Sequence, residues 1–569
     1  MREKTHRLLT AALAGIVLSV VAAAPGSAAP ASHDRTAKAE RARVDKVPTP
    51  KLGWYKCYDI AECATTRLPL DYDKPKGATT EIAILRIKAK DQKNKIGSLF
   101  LNPGGPGGSA TDFALFAPYF LSDSLLQRFD IVGVDPRGIG ASANVRCFKS
   151  VKDQTAVLDL MNVPFPFTKA EEKRYVTGSK RFGKACSTTG KKLAGAMSTA
   201  EVARDMDVMR RAVGDKKLNY LGFSYGSALG QYYANLFPDR FRALVIDGVL
   251  DPVAWVGNTK KILDDRLRSS DGAYKALNEI LKRCDRAGET HCVFAAGDPV
   301  KNFDTIAREL RAKPLQLPDG EGGTFTVTYA IFVSAILGSL YDLNAGQAVT
   351  EISAEVWAAL HEGSTAALTE RARAAQATKR GYDFPYQNGF EAMSAVVCTD
   401  GRHPADAGSW PAATARRDQK APYFGRAWGW IDSQCANKTW TVQDEDAYRG
   451  PFTRRTAAPV LVVGNFWDPA TNYQGAVASS RLLPNSRLLS SNNWGHTAYG
   501  SGVCATTSID DYLLTGRPPA KGKVCTDSVQ PFTEPLPPPG EPATLSAPTG
   551  KQRPPVATVA PESLLTPEK

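Results

Sequence analysis

The chain has 569 residues, 43% hydrophobic and 23% charged, fractions that exclude a wholly disordered or fibrous protein. Its length exceeds one average domain and predicts a large core carrying an insertion rather than a string of small modules. The formal charge of +13 is spread along the chain, so the reading is a mildly basic solvated surface and no nucleic-acid partner.

The N-terminus reads as an export signal over residues 1–29. Arg2, Lys4 and Arg7 precede an apolar run from Leu8 to Ala24, and the small residues Gly26 to Ala29 follow it. That run is shorter than the ~20 apolar residues of a membrane span, so no stable membrane insertion is expected once it is removed. The expected address is extracellular. Residues 30–48 are polar and Ala-rich without an apolar period, and read as a flexible leader or propeptide. The cysteine count agrees with export: ten is even, and disulfides persist in oxidising compartments. Pairing by proximity joins Cys57 with Cys63, Cys147 with Cys186, Cys284 with Cys292, Cys398 with Cys435, and Cys504 with Cys525, although spacing alone does not determine connectivity. No C-x-x-C pair suggests a metal site, and no metal or cofactor is expected.

Residues 49–251 alternate short apolar runs with helical stretches. The runs at 81–89, 96–101, 129–134, 218–222 and 243–247, with 460–464 further on, predict a buried, mostly parallel sheet covered by helices on both faces. Ser198 and Glu201 spell a capping box, and Val202, Met206, Met209 and Val213 then recur at helical spacing. Residues 252–448 are mainly helical (303–312, 329–341, 347–361) and read as an inserted lid. Residues 449–528 return to the sheet pattern, and the proline-rich stretch 529–569 reads as an extended or disordered tail.

Three motifs carry chemistry. Gly222-Phe223-Ser224-Tyr225-Gly226 lies between a strand and a helix, where a sharp turn would project the Ser224 hydroxyl above the sheet. A serine that merely caps the helix is the structural alternative. The loop PGGPGGS, Pro103 to Ser109, exposes backbone amides without side chains. Gly105, with Tyr225 after the nucleophile, is the candidate pair of oxyanion donors. Of six histidines, His496 alone follows a sheet-like segment near the end of the folded region, and Asp468 leaves the strand before it. The order Ser, Asp, His suits the α/β-hydrolase fold, with Asp468 orienting the imidazole that activates Ser224. Thr471 is placed to bond that carboxylate. The segment 129–143, with Asp135, Arg137, Gly138, Gly140 and Ser142, reads as an internally paired loop bordering the site.

Together GGPGGS, DPRGIGAS, GFSYG, NFWDPAT and NNWGH resemble the secreted tripeptidyl aminopeptidases of actinobacteria, serine exopeptidases related to the proline iminopeptidases. The resemblance spans roughly Gly53 to Asp527, with Pro103 where related enzymes often have a histidine. It implies an acyl-enzyme on Ser224, peptide substrates with a free N-terminus and release of short N-terminal fragments, tripeptides in the family's manner. Such an enzyme needs a carboxylate for the substrate amine, for which Asp400 is the candidate, a structural aspartate being the alternative. A secreted carboxylesterase or lipase on the same fold is the competing function, since the triad does not distinguish ester from amide. A catalytically silent binding protein is disfavoured by the presence of all three triad residues.

Overall fold

The computed structural model describes residues 32–318, 323–378, 386–526, 530–536 and 551–556. The expected export signal lies outside them, as does most of the proline-rich stretch. Twelve strands form among the described residues: β1 (Tyr55–Cys57), β2 (Ala61–Pro69), β3 (Thr79–Ile87), β4 (Gly97–Asn102), β5 (Phe129–Val134), β6 (Leu218–Phe223), β7 (Phe241–Asp247), β8 (Leu315–Pro318), β9 (Thr324–Val327), β10 (Val460–Trp467), β11 (Ser486–Trp494) and β12 (Val524–Cys525). Ten of them make one sheet in the order β1-β2-β3-β5-β4-β6-β7-β10-β11-β12. Pairing is antiparallel from β1 through β3 to β5, and parallel from β5 to β12.

The central strands are apolar because both faces are covered. Every residue of β4, β5 and β6 is buried. One face packs Ile84, Phe100, Val132, Tyr220, Leu244 and Val462 against the helices Thr199–Ala212 and Tyr225–Leu236, and the other packs Leu99, Leu101, Ile131, Leu221, Val245 and Leu461. Every parallel strand ends its chain direction at the same edge of the sheet, so the loops after β4, β6, β7 and β10 converge there. That edge is where an open α/β sheet places its site.

Between β7 and β10 the chain leaves the sheet for the expected insertion. Its helices include Ser269–Ala287, Pro299–Ala312, Tyr329–Ser339, Ala345–His361 and Gly389–Asp400, joined by the β8–β9 hairpin that sequence periodicity did not suggest. A second, smaller helical excursion lies between β5 and β6, where the helix Lys169–Thr188 is tied back through Cys147–Cys186. The other disulfides are Cys57–Cys63, Cys284–Cys292, Cys398–Cys435 and Cys504–Cys525. No helix among the described residues is long and apolar enough to cross a membrane.

Two expectations require correction. The leader is not a loose segment over its described part. It forms the helix Lys38–Val44, with Val44 wholly buried and Glu40 accepting hydrogen bonds from Arg204 at 2.9 and 3.1 Å. Thr36 binds Asp239, and Asp34 accepts from the Arg455 amide. With only two apolar side chains inserted, no periodicity announced this docking. Nor is the whole tail loose: Gln530 bonds Arg283 and the Trp494 indole, and residues 551–556 lie against the loop at 495–497 that follows Trp494.

The helix Thr199–Ala212 likewise departs from a one-stripe amphipathic helix. Ser198 accepts from the Glu201 amide at 3.2 Å as a cap should, but Glu201 does not close the box. Its carboxylate instead accepts from Arg204 at 2.6 Å and Arg137 at 2.8 Å. Arg137, with no exposed side-chain surface, also donates to both oxygens of Asp205 and to the carbonyls of Pro69, Leu70 and Ala196. These bonds lock the loop after β5 to the helix behind the sheet. Replacing Arg137 with alanine strands buried carboxylates and should cost about 3–5 kcal/mol in denaturant unfolding. A loss under about 1 kcal/mol, within the range of an exposed pair, would refute that assignment.

Candidate active site

Ser224 occupies the turn between β6 and the helix Tyr225–Leu236, with φ 56° and ψ −122°. A non-glycine residue there is strained, and such strain persists only where the surroundings over-determine it. Its amide donates to the Asp247 carbonyl at the end of β7 (2.9 Å), and its carbonyl accepts from the Ser227 amide (2.8 Å). The flanking glycines are required by close approach. A Cβ on Gly222 would lie 2.4 Å from the Tyr220 ring and 2.5 Å from the Gly226 carbonyl oxygen, and one on Gly226 would meet Asn102 at 2.8 Å. This is the tight strand-turn-helix geometry, not a helix cap, since the Ser224 side chain makes no capping bond.

The glycine-rich loop after β4 fits against that turn. A Cβ on Gly104 would lie 2.4 Å from the Phe223 oxygen and 2.8 Å from Ser224 Cβ. The Gly104 amide donates to Asn102 Oδ1 (3.0 Å), whereas the amides of Gly105 and Tyr225 donate to no described residue. Gly105 and Ser224 line one cavity. Two uncommitted amides flanking a serine hydroxyl can accept a developing oxyanion. Asp135, from the loop after β5, anchors the far end by accepting from Ser109 Oγ and from the Thr111 amide and hydroxyl.

Asp468 follows β10 and is buried. Its oxygens accept from the amides of Ala470 (2.9 Å), Thr471 (2.8 Å) and Thr497 (3.2 Å) and from the Thr471 hydroxyl (2.8 Å). Both lie 2.9 Å from His496 Nδ1. Burial pushes the Asp468 carboxyl up, but His496 and the surrounding donors outweigh it and hold the group below the ordinary carboxylate range. A carboxylate opposite Nδ1 requires the proton on that nitrogen, which leaves the Nε2 lone pair as the base. Nε2 is buried and has no hydrogen-bond partner, and the Ser224 hydroxyl does not bond it in this structure. Such a contact commonly tightens only when substrate is bound. The two halves of the site nonetheless adjoin. Gly248 follows the Asp247 that anchors Ser224, and a Cβ there would sit 3.1 Å from both His496 Cε1 and Thr471 Oγ1.

Several residues to which the sequence reading assigned no role hold this geometry. Trp467 and Trp494 pair at the end of β10–β11 and stack at 4.9 Å and 6°, one just before Asp468 and the other two before His496. Asn465 donates to the carbonyls of Gly495 and Thr497, and the Asp247 carboxylate accepts from the amides of Ala498 and Tyr499. Tyr341, from the insertion, packs its ring 5.2 Å from the His496 ring. Aromatic stacking partners separated by 27 residues leave no local periodicity to read.

The cavity beside Ser224 is small, about 50 Å³, and mostly apolar, with Pro106, Leu250, Trp255, Met393, Val397 and Trp428 in its wall. Asp400 does not line it, which corrects the expectation for the amine-binding carboxylate. It is 1% exposed and fully engaged, accepting from the Thr199 amide (2.7 Å), the Thr199 hydroxyl (2.5 Å) and the Trp255 indole (2.8 Å). Burial pushes it up to about 6. Its work is to orient Trp255 in the cavity wall. Asp264, which does reach the cavity, is likewise engaged with Ser270 and Arg417. Two carboxylate groups elsewhere, Asp71–Asp73–Glu445 and Glu201–Asp444–Asp446, stand close enough to hold a cation, but arginine and lysine side chains already bridge them.

A strained serine at a strand-to-helix turn, an adjoining carboxylate–imidazole pair and free loop amides define a serine hydrolase on the α/β-hydrolase fold. Residues 97–274 match the family model described as alpha/beta hydrolase fold, and residues 421–525 match the model described as TAP-like protein. The chain is 30% identical over 517 residues to the tripeptidyl aminopeptidase of Streptomyces lividans, covering 88% of this chain and 91% of that one. It is 29% identical to the serine protease Hip1 of Mycobacterium tuberculosis (84% and 92% covered) and 30% identical to that organism's carboxylesterase B (84% and 91%). The chain belongs to the tripeptidyl aminopeptidase-like family of α/β-hydrolases.

Two outcomes test the site. Ser224→Ala should abolish turnover, and Asp468→Asn should lower kcat by about 10⁴ because the amide admits the wrong imidazole tautomer. Full turnover by the Ser224 variant would exclude it as nucleophile. Burial pushes Asp247 up to about 6, with the Tyr499 and Ala498 amides opposing. The folded state therefore holds a proton that the unfolded chain releases near its ordinary pKa of about 3.9, and this group's stabilisation falls as pH rises from about 4 to about 6. Asp247→Asn should remove that contribution, so its melting temperature relative to wild type should rise over this interval. A difference independent of pH would contradict the assignment.

Proposed function

We propose that this chain is a secreted serine peptidase that cuts peptides near a free N-terminus and releases tripeptides. The observation that carries the serine-hydrolase part of this reading is the pairing of Asp468 with His496 Nδ1, which leaves Nε2 buried and unbonded. Similarity to the Streptomyces tripeptidyl aminopeptidase along most of both chains supports the substrate class. Five disulfides and the N-terminal basic-apolar-small pattern support export.

Ser224 Oγ attacks the peptide carbonyl carbon while His496 Nε2 takes its proton. The carbonyl oxygen becomes an oxyanion held by the amides of Gly105 and Tyr225. As the carbon–nitrogen bond breaks, the imidazolium returns that proton to the departing amine, leaving the N-terminal fragment as an ester on Ser224. A water that gives its proton to His496 then attacks the ester carbonyl. Collapse of that intermediate frees the fragment acid and returns the proton to Ser224. Asp468 stabilises the imidazolium in both halves and is not itself protonated.

A carboxylesterase reading is favoured by one observation: the cavity is apolar, and the carboxylates beside it are already engaged. Mass spectrometry of products from one free and one N-acetylated peptide separates the possibilities. Tripeptide loss from the free peptide alone is the expected outcome, and equal internal cleavage of both would refute exopeptidase action. A preference for a short-chain ester over a tripeptide amide of more than about a hundredfold in kcat/KM would overturn the peptidase reading.

A further inference from the structure

Residues 551–556 belong to the proline-rich stretch, yet they lie against the loop that carries the base. The Gln552 amide donates to the Tyr119 carbonyl (3.0 Å), and Val556 packs on the apolar cluster beneath the site. Between these anchors Arg553 inserts its side chain. The residue is partly exposed, but its Nε is sealed from solvent and has no hydrogen-bond partner. Nη1 donates to the Tyr341 carbonyl at 2.9 Å, and Nη2 donates to the carbonyls of His496 and, at 3.1 Å, Thr497. No described carboxylate forms an ion pair with it. A guanidinium buried against three peptide carbonyls is costly unless a structural demand compensates.

The demand is visible in the loop. Thr497 has φ 69°, a left-handed conformation that a β-branched residue avoids. Its amide is held by Asp468 and its carbonyl by Asn465 and Arg553. No other described residue donates to the His496 carbonyl. The Tyr341 carbonyl that accepts from Arg553 also accepts from the His496 amide at 3.1 Å. One guanidinium thus joins the tail, the insertion and the two carbonyls that follow the imidazole-bearing Cα.

We propose that Arg553 is a positioning residue that sets the His496 ring for proton transfer, so that the C-terminal segment completes the active site. The fork of a guanidinium is needed because one group must bridge carbonyls from two chain segments. The inference rests on the triad reading of Ser224, His496 and Asp468.

The test compares Arg553→Ala with wild type in full-length protein, reading the rate at which a fluorophosphonate labels Ser224. Labelling requires an activated serine but neither a peptide nor an ester substrate. With the fold retained by circular dichroism, labelling rate and kcat should fall together by about 10–100-fold while KM stays within about threefold, as expected for a misplaced base. Guanidinium ion added at tens of millimolar should recover part of the loss, which a purely structural lesion would not allow. Labelling within about threefold of wild type overturns the proposal, because displacement of the base should cost more. Should the alanine variant not fold, Arg553→Lys decides. A point charge cannot bridge both segments, so labelling should fall at least about fivefold, and a wild-type rate overturns the proposal. If wild type itself resists labelling, the triad reading fails instead.

Discussion

A carboxylate removed from water is unfavourable by several kcal/mol unless charge and hydrogen bonds replace its hydration. Asp468 is such a group, and the architecture around the site can be understood as the means of keeping it ionised. Three amides and one hydroxyl converge on it, two of the amides from the turn that follows β10 and one from the loop after β11. Those donors arrive together only because β10 and β11 lie side by side and in parallel. His496 then supplies the opposing charge when protonated. The tautomer of the base and the direction of its lone pair both follow from that one buried anion.

The nucleophile depends on a different constraint, which is steric. Ser224 tolerates its strained backbone because β6 and the following helix are held by glycine contacts too close for a side chain. The same closeness brings the loop after β4 against the turn, so strain at the nucleophile and free amides for an oxyanion are two results of one packing arrangement. The nucleophile and base halves share Asp247, whose carbonyl anchors Ser224 and whose carboxylate anchors the loop beyond His496. A single residue at the end of β7 therefore couples the placement of attacking oxygen and base.

Electrostatics organise the back of the molecule in the same way. Arg137 and Arg204 sit among Glu40, Glu201 and Asp205, tying the leader helix, the loop after β5 and the helix Thr199–Ala212 into one buried network. The described part of the leader packs against the helix Thr199–Ala212. That part is a structural member of the fold.

Much of this was legible in the linear chain. The parallel strands are short apolar runs whose burial on both faces leaves little choice of residue, and G-x-S-x-G, the glycine loop, Asp468 and His496 are local patterns with a local steric or chemical cause. Asp400 shows the boundary: its residue type and neighbourhood fitted an amine receptor, but only packing revealed that Thr199 and Trp255 already occupy it. The capping box at Ser198 failed by half for the same reason, since Glu201 found arginines brought from elsewhere. The sequence by itself determined the order of the central strands and the candidate positions 224, 468 and 496, because backbone propensity and motif spacing act over a few residues. The tertiary structure alone decided the docking of leader and tail, the Trp467–Trp494 buttress and the place of Arg553. Each of these joins residues distant along the chain, and such contacts are fixed by the packing of the whole fold.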